Sequence, residues 1–140
     1  LDPTYSHVKK IENAINLLTQ YSEKKAKDIM IKKIISIAED EKISSAVKMM
    51  NSHRISQMPV LAQEKIIGLV SESSILNKSV EELQDLQVSD VMDEAPPTIN
   101  KNTPILVIKQ LLRFYPLVLV KEKGNLVGLI TKTDILNSLI

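Results

Sequence analysis

Cysteine is absent from the 140 residues, and so is tryptophan. Without cysteine there are no disulfides and no thiolate metal sites, which fits a reducing, cytoplasmic setting. One Phe and three Tyr leave any core to be assembled from Ile, Leu, Val and Met. Three glycines form no phosphate-cradling loop. No apolar run approaches the ~20 residues that cross a bilayer, and no signal-peptide pattern opens the chain. Net charge is nearly lacking too: 18 basic against 17 acidic side chains give +1, so no direct nucleic-acid contact is expected. His7 and His53 stand far apart without companions at metal spacing, so surface roles are expected and no metal. No nucleophile and base fall in a catalytic arrangement, and no enzyme activity is expected.

What is present is ordinary globular material, 44% apolar, of a length suited to one domain or two half-domains sharing a core. Its organising feature is a duplication. Gly68-Leu69-Val70-Ser71-Glu72-Ser73-Ser74-Ile75-Leu76 and Gly128-Leu129-Ile130-Thr131-Lys132-Thr133-Asp134-Ile135-Leu136 both read as a buried strand turning directly into a helix.

The rest of the chain falls into register around these copies. Asp2-Pro3 starts a helix of roughly residues 3–22, with Val8, Ile11, Ile15 and Leu18 as its apolar stripe. Seven Lys against four acids in the first 33 residues read as a solvated face. Ala26–Met30 and Val88–Met92 open the two repeats. Short strands follow at Ile35–Ile37 and at Thr98-Ile99. Helices follow in turn: one carries Ile43, Ala46, Val47 and Met50 on a single face, the other Ile105, Ile108 and Leu112. The second is expected to be capped by Thr103 ahead of Pro104. Hairpins of Met58–Leu61 with Ile66–Val70, and of Leu117–Val120 with Leu126–Ile130, close the repeats, Gly124 serving one turn. Pro59 is expected near a strand start or on an edge. The second copy reads as three residues shorter between helix and strand, Arg113–Pro116 replacing Asn51–Gln57. Ser79-Val80-Glu81-Glu82 reads as the capping box of a connecting helix.

The order and double occurrence of these segments resemble the CBS domain, whose members usually occur as tandem pairs. The resemblance covers residues 25–140: the two Asp-x-Met openings, the Ala46-to-Met50 helix, Ile55–Val60, and the closing segments Gly68–Leu76 and Gly128–Leu136. It implies an α/β architecture of α+β type, two β-α-β-β-α repeats packed about a pseudo-twofold axis and preceded by an N-terminal helix. The expected boundaries are a linker helix over 1–24, repeat 1 over 25–78, a connecting helix over 79–87 and repeat 2 over 88–140. The leading helix also resembles the segment joining a helix-turn-helix DNA-binding domain to a CBS pair in archaeal transcriptional regulators. Because the chain opens on Leu1 rather than Met, it is expected to be part of a longer protein, with any DNA-reading domain upstream.

Thr131 and Asp134 attract attention without the family. A carboxylate there can accept two hydrogen bonds from a vicinal diol such as ribose. The same spacing is a capping box, with Thr at the N-cap and an acid at N3, so the residues alone leave both readings open. The resemblance favours a ligand, because this hydroxyl-to-Asp spacing is the family's ribose-binding feature. The expected site is Thr98, Ile99, Tyr115, Pro116, Val118, Thr131, Lys132 and Asp134. Ile99 and Val118 sandwich a purine, Tyr115 stacks or hydrogen-bonds, and Lys132 with Arg113 supplies positive charge. The matching crevice of repeat 1 (Ile37, Gln57, Met58, Pro59, Ser71 and Ser74) is expected to be degenerate, because Ser74 stands where the other copy has a carboxylate.

Adenosyl ligands such as AMP, ATP or S-adenosylmethionine are what the resemblance implies. Some members place His and Arg just before the strand proline to hold phosphates; here Ser56 and Gln57 occupy those positions, which favours AMP or an S-adenosylmethionine-like compound over ATP. The implied role is a regulatory module whose ligand alters an attached domain, and the alternative is a ligand-free dimerisation scaffold. Met49 beside Met50 and Leu111 beside Leu112 carry more apolar surface than one sheet requires, so a homodimer is expected.

Overall fold

The computed structural model describes the backbone of residues 3–139 and the side chains of residues 4–16 and 23–139. Helix α1 (Pro3–Glu23) opens the chain, followed by the single turn α2 (Ala26–Ile29). The first repeat then runs β1 (Ile37–Ala38), α3 (Ile43–His53), β2 (Gln57–Ala62), β3 (Lys65–Ser71) and α4 (Glu72–Leu76). Two short helices, α5 (Val80–Leu83) and α6 (Val88–Val91), lead to the second repeat. It runs β4 (Thr98–Asn100), α7 (Ile105–Leu111), β5 (Leu117–Glu122), β6 (Asn125–Thr131) and α8 (Lys132–Asn137). The expected cap at Asp2 lies outside the described residues, as does the side chain of Leu18.

Each repeat builds a three-stranded sheet of one topology, in the orders β1-β2-β3 and β4-β5-β6, with the first pair parallel and the second antiparallel. The copies agree down to the register: Gln57 faces Ser71 as Leu117 faces Thr131, and a bulge follows Val60 as one follows Val120. Gln57 is therefore the counterpart of Leu117, and the second copy is two residues shorter before its hairpin rather than three. Both hairpin turns use positive φ at two residues, Gln63-Glu64 and Lys123-Gly124.

Two further expectations need correction. The strand expected over Ile35–Ile37 reduces to Ile37–Ala38. In the second repeat Leu119 donates its N–H to the Pro97 carbonyl just ahead of β4. The residue equivalent to Leu119 is Pro59, which has no N–H, so the first repeat loses that rung. Helix α7 takes Pro104, not Thr103, as N-cap: Pro104 has ψ 148, outside the helical region, and its carbonyl accepts from Val107 and Ile108.

Each sheet buries one face under its helices. Ile43, Ala46, Met50, Met58, Val60, Val70 and Ile75 form one core, and Ile105, Ile108, Leu112, Val118, Val120, Ile130 and Ile135 the other. Val47, expected on the buried face of α3, is 39% exposed. Met49 and Leu111 are half-buried against their own cores, so they are not the surplus apolar stripe read from the sequence.

The compact units do not follow the order of the repeats. One unit comprises residues 1–33 and 97–140, the other residues 34–96. The opening segment of each repeat docks on the opposite repeat. Ala26 and Lys27 donate N–H groups to the Thr103 and Lys101 carbonyls, and Ile31 exchanges both backbone bonds with Leu129. In the other unit Val88 and Ser89 donate to Glu41 and Glu39, and Asp93 exchanges bonds with Leu69. Ala26 completes one core; Val88 and Val91 complete the other.

Candidate functional site

The strand-to-helix elbows expected to carry chemistry are both built as caps, with different capacity left over. At the first, the Ser71 N–H donates to Ser74 Oγ (2.9 Å), the Ser74 N–H donates to Ser71 Oγ (3.1 Å), and the Ser74 hydroxyl donates to the Ser71 carbonyl (2.9 Å). Ser74 is 5% exposed and both accepts and donates within the turn. Its only proton is spent within the turn and the residue is nearly buried, which leaves one lone pair and no charge for a ligand.

At the second elbow, Asp134 Oδ2 accepts the Thr131 N–H (2.8 Å) and the Thr131 hydroxyl (3.0 Å). Among the described residues Oδ1 has no hydrogen-bond partner, and no buried side-chain polar atom is unsatisfied, so Oδ1 faces solvent. The capping role is real and general: Asp28 and Asp90 accept the N–H groups of Lys25 and Gln87 in the same way. It uses one oxygen of Asp134 and leaves the other.

Asp134 also lines a cleft of about 230 Å³, together with Lys24, Asp28, Ile29, Asn137 and Ser138. Lys24 Nζ donates to the Ser138 carbonyl. Asp28 spends Oδ2 on the Lys25 N–H (2.9 Å). Lys24, Asp28 and Asn137 were not foreseen as site residues. Asp28 and Lys24 reach Asp134 only because the opening segment of repeat 1 docks on repeat 2. The sequence held one hint, the equal placing of Asp28 and Asp134 at N3 of their helices.

The register gathers several expected site residues at one end of the second sheet. Thr98 pairs with Leu119, Leu117 pairs with Thr131, and Tyr115-Pro116 lead directly into β5. Thr98 and Tyr115 are exposed and Ile99 is half-buried. Val118 is not available as one side of a purine sandwich: it is fully buried in the helix-covered core with Ile105, Ile108 and Ile130. Lys132 leaves the Asp134 cleft and lines a groove with Lys109 and Arg113 instead. In the first repeat Ile37, Met58 and Pro59 are buried and Gln57 and Ser71 are half-buried. Among the described residues no group of His, Asp and Glu is placed to hold a metal ion, and no helix is long and apolar enough to cross a membrane.

The duplicated sheet, its shared bulge and the paired elbows coincide with a known family: residues 26–81 and 88–140 match the CBS domain. The chain belongs to the CBS domain family. The CBS pair is 28% identical over 128 residues to the inosine-5'-monophosphate dehydrogenase of Korarchaeum cryptofilum, covering 89% of this chain and 26% of that enzyme. It is 30% identical over 125 residues to a zinc metalloprotease of Methanocaldococcus jannaschii, covering 89% of this chain and 35% of the relative. The chain thus spans about a quarter to a third of these relatives. Among solved structures, the CBS domain of a bacterial CNNM/CorC-family Mg2+ transporter superposes with TM-score 0.81 at 20% identity, over 99% of this chain and 85% of that one. The same transporter's domain in complex with ATP superposes with TM-score 0.80 at 22% identity, over 93% and 96%.

Proposed function

We propose that this CBS pair is a regulatory, ligand-sensing module that binds one adenosyl compound at the Asp134 cleft and acts on an attached domain. The observation that supports this most is the inequality of the two elbows: Ser74 is uncharged and spends its proton within its turn, whereas Asp134 caps with Oδ2 alone and lines a cleft. A free carboxylate oxygen has lone pairs for both hydroxyls of a ribose, each bond charge-assisted. Asp28 lines the same cleft and adds a second carboxylate, and Lys24 is the only cation lining it among the described residues. A cleft with two carboxylates disfavours a triphosphate and favours AMP or, better, an S-adenosyl compound whose sulfonium or amino group is positive. Thr98, Ile99, Tyr115 and Pro116, at the same end of the sheet, are proposed to receive the base. The module is proposed to act as a cytoplasmic homodimer, with an upstream DNA-binding domain of the archaeal regulator type as the responder.

The deciding experiment is calorimetric titration of wild type, Asp134→Ala and Ser74→Ala with AMP, ATP and S-adenosylmethionine. Losing charge-assisted bonds worth about 1.5–3 kcal/mol weakens binding about 10- to 150-fold in Asp134→Ala. Ser74→Ala leaves affinity within about twofold. Because Asp134 also caps α8, its Ala variant is in addition about 0.5–2 kcal/mol less stable. A stability loss with no ligand bound by wild type would leave Asp134 a cap alone and the protein a dimerisation scaffold.

A further inference from the structure

No described residue of helix α1 belongs to either core. Every side chain from Thr4 to Asn16 is exposed, on all sides of the helix. Its anchorage lies at the far end, where the Lys24 carbonyl accepts the Ile105 N–H and Lys24 Nζ donates to the Ser138 carbonyl. Nothing local compensates for the exposure: α1 has no acid in its first turn and no base in its last. A helix in water draws most of its stability from packing an apolar face.

That face has a particular spacing. Val8, Ile11, Ile15 and Leu18 follow one another at three, four and three residues, which is the alternation of positions a and d in a seven-residue repeat. Val8, Ile11 and Ile15 are 46%, 48% and 56% exposed. The outer positions hold Ser6, Lys9, Lys10, Asn13 and Asn16, with Leu17 the apolar exception. Both a positions, Val8 and Ile15, are β-branched, the choice that favours two parallel strands.

We infer that two copies of this chain pair through α1 as a parallel two-stranded coiled coil. This rests on the homodimer proposed above and gives it a surface. The contact involves one compact unit only, because each α1 meets its own copy across a twofold axis running along the helices. Charge selects the orientation. In a parallel pair His7, at position g, faces Glu12 at the following e position of the second copy, an imidazole N–H against a carboxylate. An antiparallel pair that sets Val8 against Leu18 brings Glu12 to its own copy instead, and like charges reject that arrangement. The helix thus carries both halves of the contact, as pairing with a second copy requires.

In a parallel seam each residue meets its own copy, so a single thiol reports it, and the chain has no cysteine to add background. Under mild oxidation Val8→Cys alone is expected to give a covalent dimer about tenfold or more faster than Asn13→Cys on the outer face. Ile11→Asn is expected to raise the dissociation constant about tenfold or more, and to lower helical ellipticity, because a polar group in the seam weakens pairing. Amides of residues 57–71 and 117–131 should keep their protection in that variant, since Ile11 belongs to neither core. No covalent dimer from Val8→Cys, or an unchanged dissociation constant in Ile11→Asn, in a protein with the mass of two chains overturns the coiled coil and leaves the homodimer standing. A covalent dimer formed only on mixing Val8→Cys with Leu18→Cys overturns the parallel orientation, and a mass of three or four chains overturns the two-stranded pairing. A mass equal to the 15.7 kDa of one chain at tens of micromolar overturns coiled coil and homodimer together.

Discussion

Gly68 and Gly128 are set by what lies over them rather than by their backbone conformation. A Cβ at Gly68 would stand 2.5 Å from Met92 Sδ and 2.8 Å from the Asp93 carbonyl oxygen. At Gly128 the atoms nearest an added Cβ all belong to Met30: Sδ at 2.6 Å, Cγ at 2.9 Å and Cβ at 3.0 Å. A thioether can rotate away, but a carbonyl oxygen held in the Leu69–Asp93 pairing cannot. Gly68→Ala is therefore expected to cost about 2–3 kcal/mol and Gly128→Ala about 1–2 kcal/mol, measured by urea unfolding. Shortening Met30 to Ala in the Gly128→Ala background should recover part of that cost, because the two sites share one space. Equal costs at both glycines would mean that the docked segments yield as whole units. Asp134 stands at the same scale: its capping role takes Oδ2, and the proposed ribose contact would use the oxygen left over.

At the scale of elements, the duplication is close enough that each copy explains the other. The first sheet lacks the rung that Leu119 supplies to Pro97 in the second, and Pro59 is the reason. Pro59→Leu should place an N–H opposite the Ile35 carbonyl and lengthen β1 by one residue. The added bond is worth about 0.5–1.5 kcal/mol, and the lost rigidity of proline in the unfolded chain returns about 0.4–1 kcal/mol. The melting temperature should hardly move. Hydrogen exchange is the useful measurement: the new amide at residue 59 is expected to be protected, and a freely exchanging amide there would refute the account. The exposed stripe of α1, with Val8 46%, Ile11 48% and Ile15 56% accessible, shows the converse: periodicity reveals an apolar face, and only the folded chain shows that this face stays exposed.

At the scale of the molecule, exchange of the opening segments decides which residues support which core. Residues 26–31 precede the first repeat in sequence yet complete the core of the second. Removing residues 1–31 should therefore expose Ile105, Ile108 and Ile130 and leave residues 57–71 with their own helices and the docked Val88–Asp93 segment. Hydrogen exchange on such a fragment is expected to show amides of residues 117–131 opening first. If protection is lost first over 57–71, the assignment of segments to units is wrong. The same exchange concentrates charge, bringing the lysine-rich start of the chain to the unit that already holds Lys109, Arg113 and Lys132.

The sequence alone determined the duplication, the mixed α and β class, the strand-helix elbows and the inequality of Asp134 and Ser74. Those rest on local pattern: apolar period, turn chemistry and the spacing of a cap are written within a few residues of one another. Only the tertiary structure decided that Asp28 and Lys24 share a cleft with Asp134, that Val118 is spent on the core, and that Lys132 serves a groove. The first joins residues more than a hundred positions apart, the others depend on which face of a strand or helix meets its neighbour, and one-dimensional periodicity does not carry that information. The distribution of charge lies between these cases: residues 1–33 and 97–140 carry a formal +7 (13 basic, 6 acidic) and residues 34–96 a formal −6 (5 basic, 11 acidic). Every lysine and glutamate was countable, but the sums of opposite sign emerge only once docking of residues 26–31 on the second repeat defines which residues belong to one unit.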